Sequence, residues 1–346
     1  MTRTNPSAAS KQTEKRPRLG LALGAGAARG MAHLGVLREL EEAGLAPDVV
    51  AGTSIGALVG GMYAAGKLDR LTEVALGLDW KQIARYFVEI SFPRSGLIEG
   101  NKLTALLAEI VGEVELTELA LPFRAVTTNL MTGEEVVISD GDLVEAIRAS
   151  IAVPGIFTPA RRGDDLLVDG GLVNPVPVSV CRTMGAERII AVDLNYGRVK
   201  DTRARNSTVK EKSALASQRP NFDAGQIFEW LERNTKQFDI ELPNPLKSWM
   251  ERHALPNVFD VLGNTLGIIE SQIAATRLQV DKPDLLIQPN VGDIRFMDFV
   301  HAGEMIEEGR RAAKEALGQW KENGSELPDA RSPKNASRPK EERRGV

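Results

Sequence analysis

Two apolar runs near the start of the chain, Leu19–Leu23 and Val49–Ala51, each lead into a turn of small residues and then into a helix-forming stretch. The first turn is Gly24-Ala25-Gly26-Ala27-Ala28-Arg29-Gly30, ahead of a helix over Gly30–Ala43. The second is Gly52-Thr53-Ser54-Ile55-Gly56, ahead of a helix over Ile55–Ala65. A strand that feeds a helix through so short a turn is a building unit of α/β folds. Further runs continue the pattern. Phe123–Thr127, Val136–Ser139, Leu166–Val168, Ile189–Leu194 and Leu285–Gln288 have strand character, and Lys102–Val111 and Leu143–Ile151 have helical character. The alternation predicts an α/β sandwich. Gly44 is placed to end the first helix as a C-cap, and Pro154-Gly155 stops the helix that starts near Leu143.

The turns also carry chemistry. In a G-x-S-x-G turn between strand and helix, the serine backbone is strained so that its oxygen projects from the fold. Gly52 and Gly56 then let strand and helix approach where a Cβ would clash, and the helix dipole favours negative charge near Ser54. Gly26, Ala27 and Ala28 offer backbone N–H groups that suit a tetrahedral oxyanion, each such donor being typically worth about 3–4 kcal/mol. Far along the chain, Asp169-Gly170-Gly171 follows the apolar run Leu166-Leu167-Val168 and precedes Asn174-Pro175. Each piece has a plain structural reading: a small-residue loop packs helix on strand, and an aspartate in such a turn bonds its own backbone. Together, a serine on an elbow, a donor-rich loop and a carboxylate are what acyl transfer requires.

These segments, with Ser150-Ile151-Ala152-Val153-Pro154-Gly155-Ile156-Phe157-Thr158-Pro159 and Asp169-Gly170-Gly171-Leu172-Val173-Asn174-Pro175-Val176-Pro177, occur in the order of the bacterial patatin-like phospholipases, which the chain resembles over roughly residues 18–195. A lesser match, Leu255–Leu262 with Pro283–Pro289, extends the likeness towards 317. The resemblance implies a three-layer α/β/α sandwich with a central mixed, mostly parallel sheet. It also implies a dyad without histidine: Ser54 as nucleophile, Asp169 as base, and the Gly26–Ala28 amides as oxyanion hole. Arg29 matches the family's basic position in the first loop, and Gly30, Gly52, Gly56, Gly170 and Gly171 complete its motifs. The chain departs from the family at Ala25 and Ala27, where glycines are usual. An alanine keeps the amide donor but is disfavoured wherever the backbone needs φ > 0.

The chain has three histidines, His33, His253 and His301, and none adjoins a motif loop. An aspartate base is intrinsically weak at neutral pH, so the dyad requires surroundings that raise its proton affinity. The single cysteine, Cys181, rules out an intramolecular disulfide framework and fits a reducing, cytoplasmic setting. Net charge is −4, which offers no global basic field for nucleic acid. No cofactor is implied, and no metal-ligand cluster is seen.

Residues 1–17 and 318–346 read as polar, charged tails flanking one domain over 18–317. Within it, 198–256 reads as an insertion: a basic polar loop followed by Phe228, Trp230, Phe238, Trp249 and Met250 among charges and prolines. That segment is either a lid or a peripheral membrane contact, or it covers the core of an insertion or a subunit interface. No run approaches the roughly 20 apolar residues of a membrane span. The reading of the whole is a lipid acyl hydrolase, phospholipase A or lysophospholipase-like, with phospholipid or another acyl lipid as partner. Its alternatives are an acyltransferase or esterase with a histidine base, and a regulatory lipid- or protein-binding module. Oligomeric state is left open.

Overall fold

The computed structural model describes residues 16–79, 82–83, 98–196 and 258–322. Eight strands form one sheet: β1 (Leu19–Leu23), β2 (Val49–Thr53), β3 (Phe123–Asn129), β4 (Glu135–Ile138), β5 (Ala160–Arg162), β6 (Asp165–Asp169), β7 (Arg188–Val192) and β8 (Leu285–Ile287). Their order is β5-β6-β3-β2-β1-β7-β8, with β4 on the other edge of β3. The run β3-β2-β1-β7-β8 is parallel, whereas β4 and β6 lie antiparallel to β3, and β5 antiparallel to β6.

The period of two along each strand distributes side chains to both faces of the sheet. Leu19, Leu21, Leu23, Val50, Phe123, Ile190 and Val192 join one core. Ala22, Val49, Ala51, Val126, Ile189 and Ala191 join the other. The first core is covered by α1 (Ala32–Glu42), α2 (Ile55–Ala64), α3 (Leu68–Gly77), α4 (Asn101–Val111), α5 (Leu143–Ser150) and α8 (Ala302–Glu322). The second is covered by α6 (Val178–Thr183) and α7 (Val258–Asp281), through Val178, Val180, Cys181 and Ala274. The result is a three-layer α/β/α sandwich with a mixed, mostly parallel sheet. Central strands buried on both sides need unbroken apolar runs, which is why β1 is LGLAL and buried throughout. Cys181 packs against Gly20, and burial pushes its thiol up to about 12, which makes it inert at neutral pH.

The ends of the domain differ in detail from the sequence reading. Arg16, assigned to the leading tail, pairs with Asp48 at 2.7 Å, and Asp48 also accepts the Leu19 N–H. The final helix runs through Glu322, past the boundary expected at 317, because Leu317 and Trp320 both reach the core. The segment 198–256 lies outside the described residues. Among those described, no helix is long and apolar enough to cross a membrane.

α1 and α8 cross at backbone contact. A Cβ on Gly35 would lie 1.8 Å from the Ile306 carbonyl oxygen, and one on Gly309 would lie 2.0 Å from that of Ala32. Beside the crossing, Arg310 bonds Glu42 at 2.7 Å. Neither backbone can yield without separating the helices, so Gly35→Ala should destabilise the domain by about 2–3 kcal/mol. Thermal unfolding at neutral pH measures this, and an unchanged midpoint would mean that the crossing is loose.

Candidate active site

β2 ends at Thr53, and the chain turns at Ser54 into α2 with φ 57° and ψ −125°. A non-glycine residue holds such a conformation at a cost of about 1–3 kcal/mol, so its neighbours must enforce it. Three contacts do. The Ser54 N–H donates to Ser150 Oγ at 2.9 Å, and Ser150 Oγ donates in turn to the Val126 carbonyl at 2.6 Å. Thr53 Oγ1 donates to the Asn174 carbonyl at 2.8 Å. Tight packing of the flanking glycines closes the turn: a Cβ on Gly52 would lie 2.3 Å from the Gly56 carbonyl oxygen, and one on Gly56 would lie 2.1 Å from that of Leu23.

Asp169 ends β6 directly opposite Thr127, while Thr53 sits opposite its chain neighbour Val126. This brings Ser54 Oγ to 2.5 Å from Asp169 Oδ2. The other carboxylate oxygen accepts the Gly171 N–H at 2.7 Å. The Asp169 N–H donates to the Ala152 carbonyl, and the Thr128 hydroxyl donates to the Asp169 carbonyl, which fixes the residue on both sides. Gly170 is glycine because a Cβ there would lie 2.3 Å from the Val126 carbonyl oxygen. Burial chiefly, and then the negative charge of Glu270, push Asp169 up to about 7, while its bonds from Ser54 and Gly171 pull the other way. The surroundings of Asp169 therefore raise its proton affinity.

The small-residue loop lies beside this pair, with Ala27 and Ser54 lining one cavity. Its three expected donors are not equivalent. The Ala28 N–H already donates to the Phe296 carbonyl at 3.0 Å. Among the described residues, none accepts a hydrogen bond from the Gly26 or Ala27 N–H. The Ala28 amide, unlike the other two, thus anchors the loop to a residue far along the chain. Arg29 is fully buried, its Nε donating to the Gly26 carbonyl at 3.0 Å and Nη1 to the Leu194 carbonyl at 3.2 Å. The basic position of the motif thus ties the loop to the end of β7. Gly30 makes room for Ile55, which a Cβ would meet at 2.1 Å.

Other residues of the surroundings divide into those with and without a sequence signal. The Ser150–Pro159 segment does reach the site, through Ser150 and through Val153, Ile156 and Phe157 in the cavity wall. Glu270 on α7, buried beside Asp169, has no motif around it. The nearest signal is the spacing of the buried positions Gly263, Gly267, Glu270 and Ala274 along α7. His33 bonds the Gly24 carbonyl at 2.8 Å and burial lowers it to about 4, so it stays neutral and fastens the loop. His301 pairs with Asp298 at 2.7 Å, and His253 lies outside the described residues. Among the described residues, no group of acidic, histidine or cysteine side chains is arranged to hold a metal.

The cavity at Ser54 is walled almost entirely by apolar side chains, among them Met31, Leu58, Leu107, Ile110 and Phe157. Ala27 adopts φ 51°, the left-handed conformation that the usual glycine tolerates and an alanine resists. Strain relief of about 1–2 kcal/mol outweighs the greater freedom of glycine in the unfolded chain, roughly 0.5–1 kcal/mol. Ala27→Gly should therefore stabilise the domain by up to about 1 kcal/mol, read as a higher midpoint in thermal unfolding. A lower midpoint would show that the loop is not strained there.

Comparison with known proteins identifies the family. The family model described as patatin-like phospholipase matches residues 21–182. An uncharacterized NTE family protein of Mycobacterium bovis is 33% identical over 341 residues, covering 90% of this chain and 94% of its own length. Lysophospholipase NTE1 of Mycosarcoma maydis is 29% identical over 316 residues, covering 88% of this chain but only 15% of that much longer protein. With the family model and near full-length similarity in agreement, the chain belongs to the patatin-like phospholipase family.

Proposed function

We propose that this protein hydrolyses the acyl ester bonds of lipids, in the manner of a phospholipase A or lysophospholipase, through an acyl-Ser54 intermediate. The observation that carries the reading is the 2.5 Å bond from Ser54 Oγ to Asp169 Oδ2 on a strained turn facing an apolar cavity. Family membership supports the substrate class, and one relative bears the name lysophospholipase. The apolar wall suits a fatty acyl chain, since burial of each methylene contributes about 0.8 kcal/mol.

Asp169 takes the Ser54 proton as Oγ attacks the ester carbonyl. The tetrahedral oxyanion accepts bonds from the Gly26 and Ala27 amides, whose donors are not consumed within the loop. Asp169 then gives the proton to the departing alcohol oxygen as the C–O bond breaks. In the second half, water attacks the acyl-enzyme, loses a proton to Asp169 and releases the fatty acid, and Ser54 recovers its proton. The bonds of His33 and His301 support an aspartate base over a histidine one.

Labelling by a fluorophosphonate, followed by intact mass, should give one adduct on the wild type and none on Ser54→Ala. An adduct of equal yield on Ser54→Ala would move the nucleophile elsewhere. Asp169→Asn should slow hydrolysis of a lysophospholipid by at least about 10³-fold while the domain stays folded, whereas His253→Ala and His301→Ala should keep measurable turnover. A folded histidine variant as inactive as Asp169→Asn would favour a triad.

The same reading fixes a pH dependence. Asp169 accepts a proton only when ionised, and its surroundings place that ionisation near pH 7. Labelling should therefore rise with pH through about 7 and be roughly 100-fold slower at pH 5 than on the plateau. A rate independent of pH between 5 and 8 would exclude a base of this kind.

A further inference from the structure

Among the α7 residues whose side chains are described, the buried positions carry small residues, Gly263, Gly267 and Ala274, with one exception, Glu270. A carboxylate on a buried helix face is costly to retain for packing alone, and in a cleft it marks a candidate functional group. Its position is specific. A Cβ on Gly171 would lie 2.7 Å from Glu270 Oε1 and 3.1 Å from Asp169 Oδ1, so the absent side chain of Gly171 leaves the two acids facing across one gap. Asp169 Oδ2 meanwhile points to Ser54. The two oxygens of one carboxylate thus serve different neighbours, the nucleophile on one side and the second acid's side of the turn on the other.

We propose that Glu270 is a positioning residue of the Ser54–Asp169 pair, a second carboxylate whose placement across Gly171 increases the tendency of Asp169 to take the serine proton. The inference rests on the dyad reading above. Two acids that share a water-poor site cannot both ionise freely, so the proton one of them holds is bound more tightly than either would bind it alone. Burial acts on Asp169 in the same direction, and Glu270 adds to it. The other elements packed on Asp169 present neutral groups: the Thr128 hydroxyl of β3, the Ala152 carbonyl after α5, and Ser54 itself. On α7 the next charge is Arg277, engaged by Glu135 at 3.2 Å and by Asp281 at 3.9 Å. Gly171 acquires a second task in this arrangement, since any larger residue would displace Glu270 or tilt Asp169 away from Ser54.

The test is the rate of fluorophosphonate labelling from pH 5 to 9 on the full chain, as wild type, Ser54→Ala, Glu270→Gln and Glu270→Asp. In Glu270→Gln the midpoint of the acid limb should fall by about one pH unit, and the plateau rate should drop roughly 3- to 10-fold as Asp169 becomes a weaker base. Glu270→Asp keeps the charge but draws it back by one methylene, and should shift the midpoint the same way by less. It also carries the test should the glutamine variant not fold, as judged by thermal unfolding. A wild-type midpoint in a folded Glu270 variant, with only the plateau or the thermal stability altered, would overturn the proposal. An adduct that persists in Ser54→Ala would instead overturn the dyad reading, so the two failures are distinguishable.

Discussion

One edge of β3 is shared by two strands that arrive from opposite directions. β2 pairs with it in parallel up to Thr53, opposite Val126, and β6 takes over antiparallel with Asp169 opposite Thr127. Adjacent residues of a strand rise by about 3.3 Å, so the end of one strand meets the end of the other at hydrogen-bonding range. The serine just past Thr53 and the aspartate that closes β6 are brought together by ladder register, before any side-chain preference acts. The turn after Asp169 then runs back over both other motif loops. Asn174 accepts from Thr53, and Pro175 accepts from the Ala25 N–H. A one-residue slip of β6 along β3 would turn its side chains to the other face and undo all of these contacts.

The site concentrates unfavourable terms. Ser54 and Ala27 hold positive φ without being glycine, and two carboxylates are buried close together. Each opposes folding, and on the proposed acyl-transfer reading each has a use: the first exposes the nucleophile, the second aims amides, the third strengthens the base. The cores on the two faces of the sheet and the α1–α8 crossing supply the stability that offsets them. Polar fastening is local and specific, from Ser150 under the elbow to Arg29 and His33 under the loop. Stability held in reserve by the scaffold and given up at the site is the usual relation between the two in enzymes.

The apolar cavity and the electrostatics belong to one design. Walls such as Leu58, Leu107 and Phe157 present an apolar surface beside Ser54, and Asp169 is buried. In such surroundings charge interactions are screened less, so a second acid or a backbone amide acts more strongly than it would at the surface. On the proposed reading, the feature that suits the wall to an acyl chain is also the one that fits an aspartate to the work commonly given to histidine.

The strand Leu19–Leu23 was legible from sequence to the residue, because a run buried on both faces must be apolar throughout and Gly24 ends it. The elbow at Gly52–Gly56, the Asp169 turn and the end of α1 at Gly44 were equally legible, since each rests on a local backbone requirement that few residue types meet. Strand β5 was not, because Ala160–Arg162 has no apolar period and is extended only by pairing with β6. Nor was the fate of the Ala28 amide, taken up by Phe296 from far along the chain, or the place of Glu270, an acid in a helix with no motif of its own. By itself the sequence determined the turns, the apolar runs and the identities of the residues in the motif loops, because these follow from short-range sterics and periodicity. Only the tertiary structure decided which amides were left free, which acid stood beside Asp169 and how far that raised its proton affinity, because each depends on contacts between residues widely separated in the chain and on the burial those contacts create.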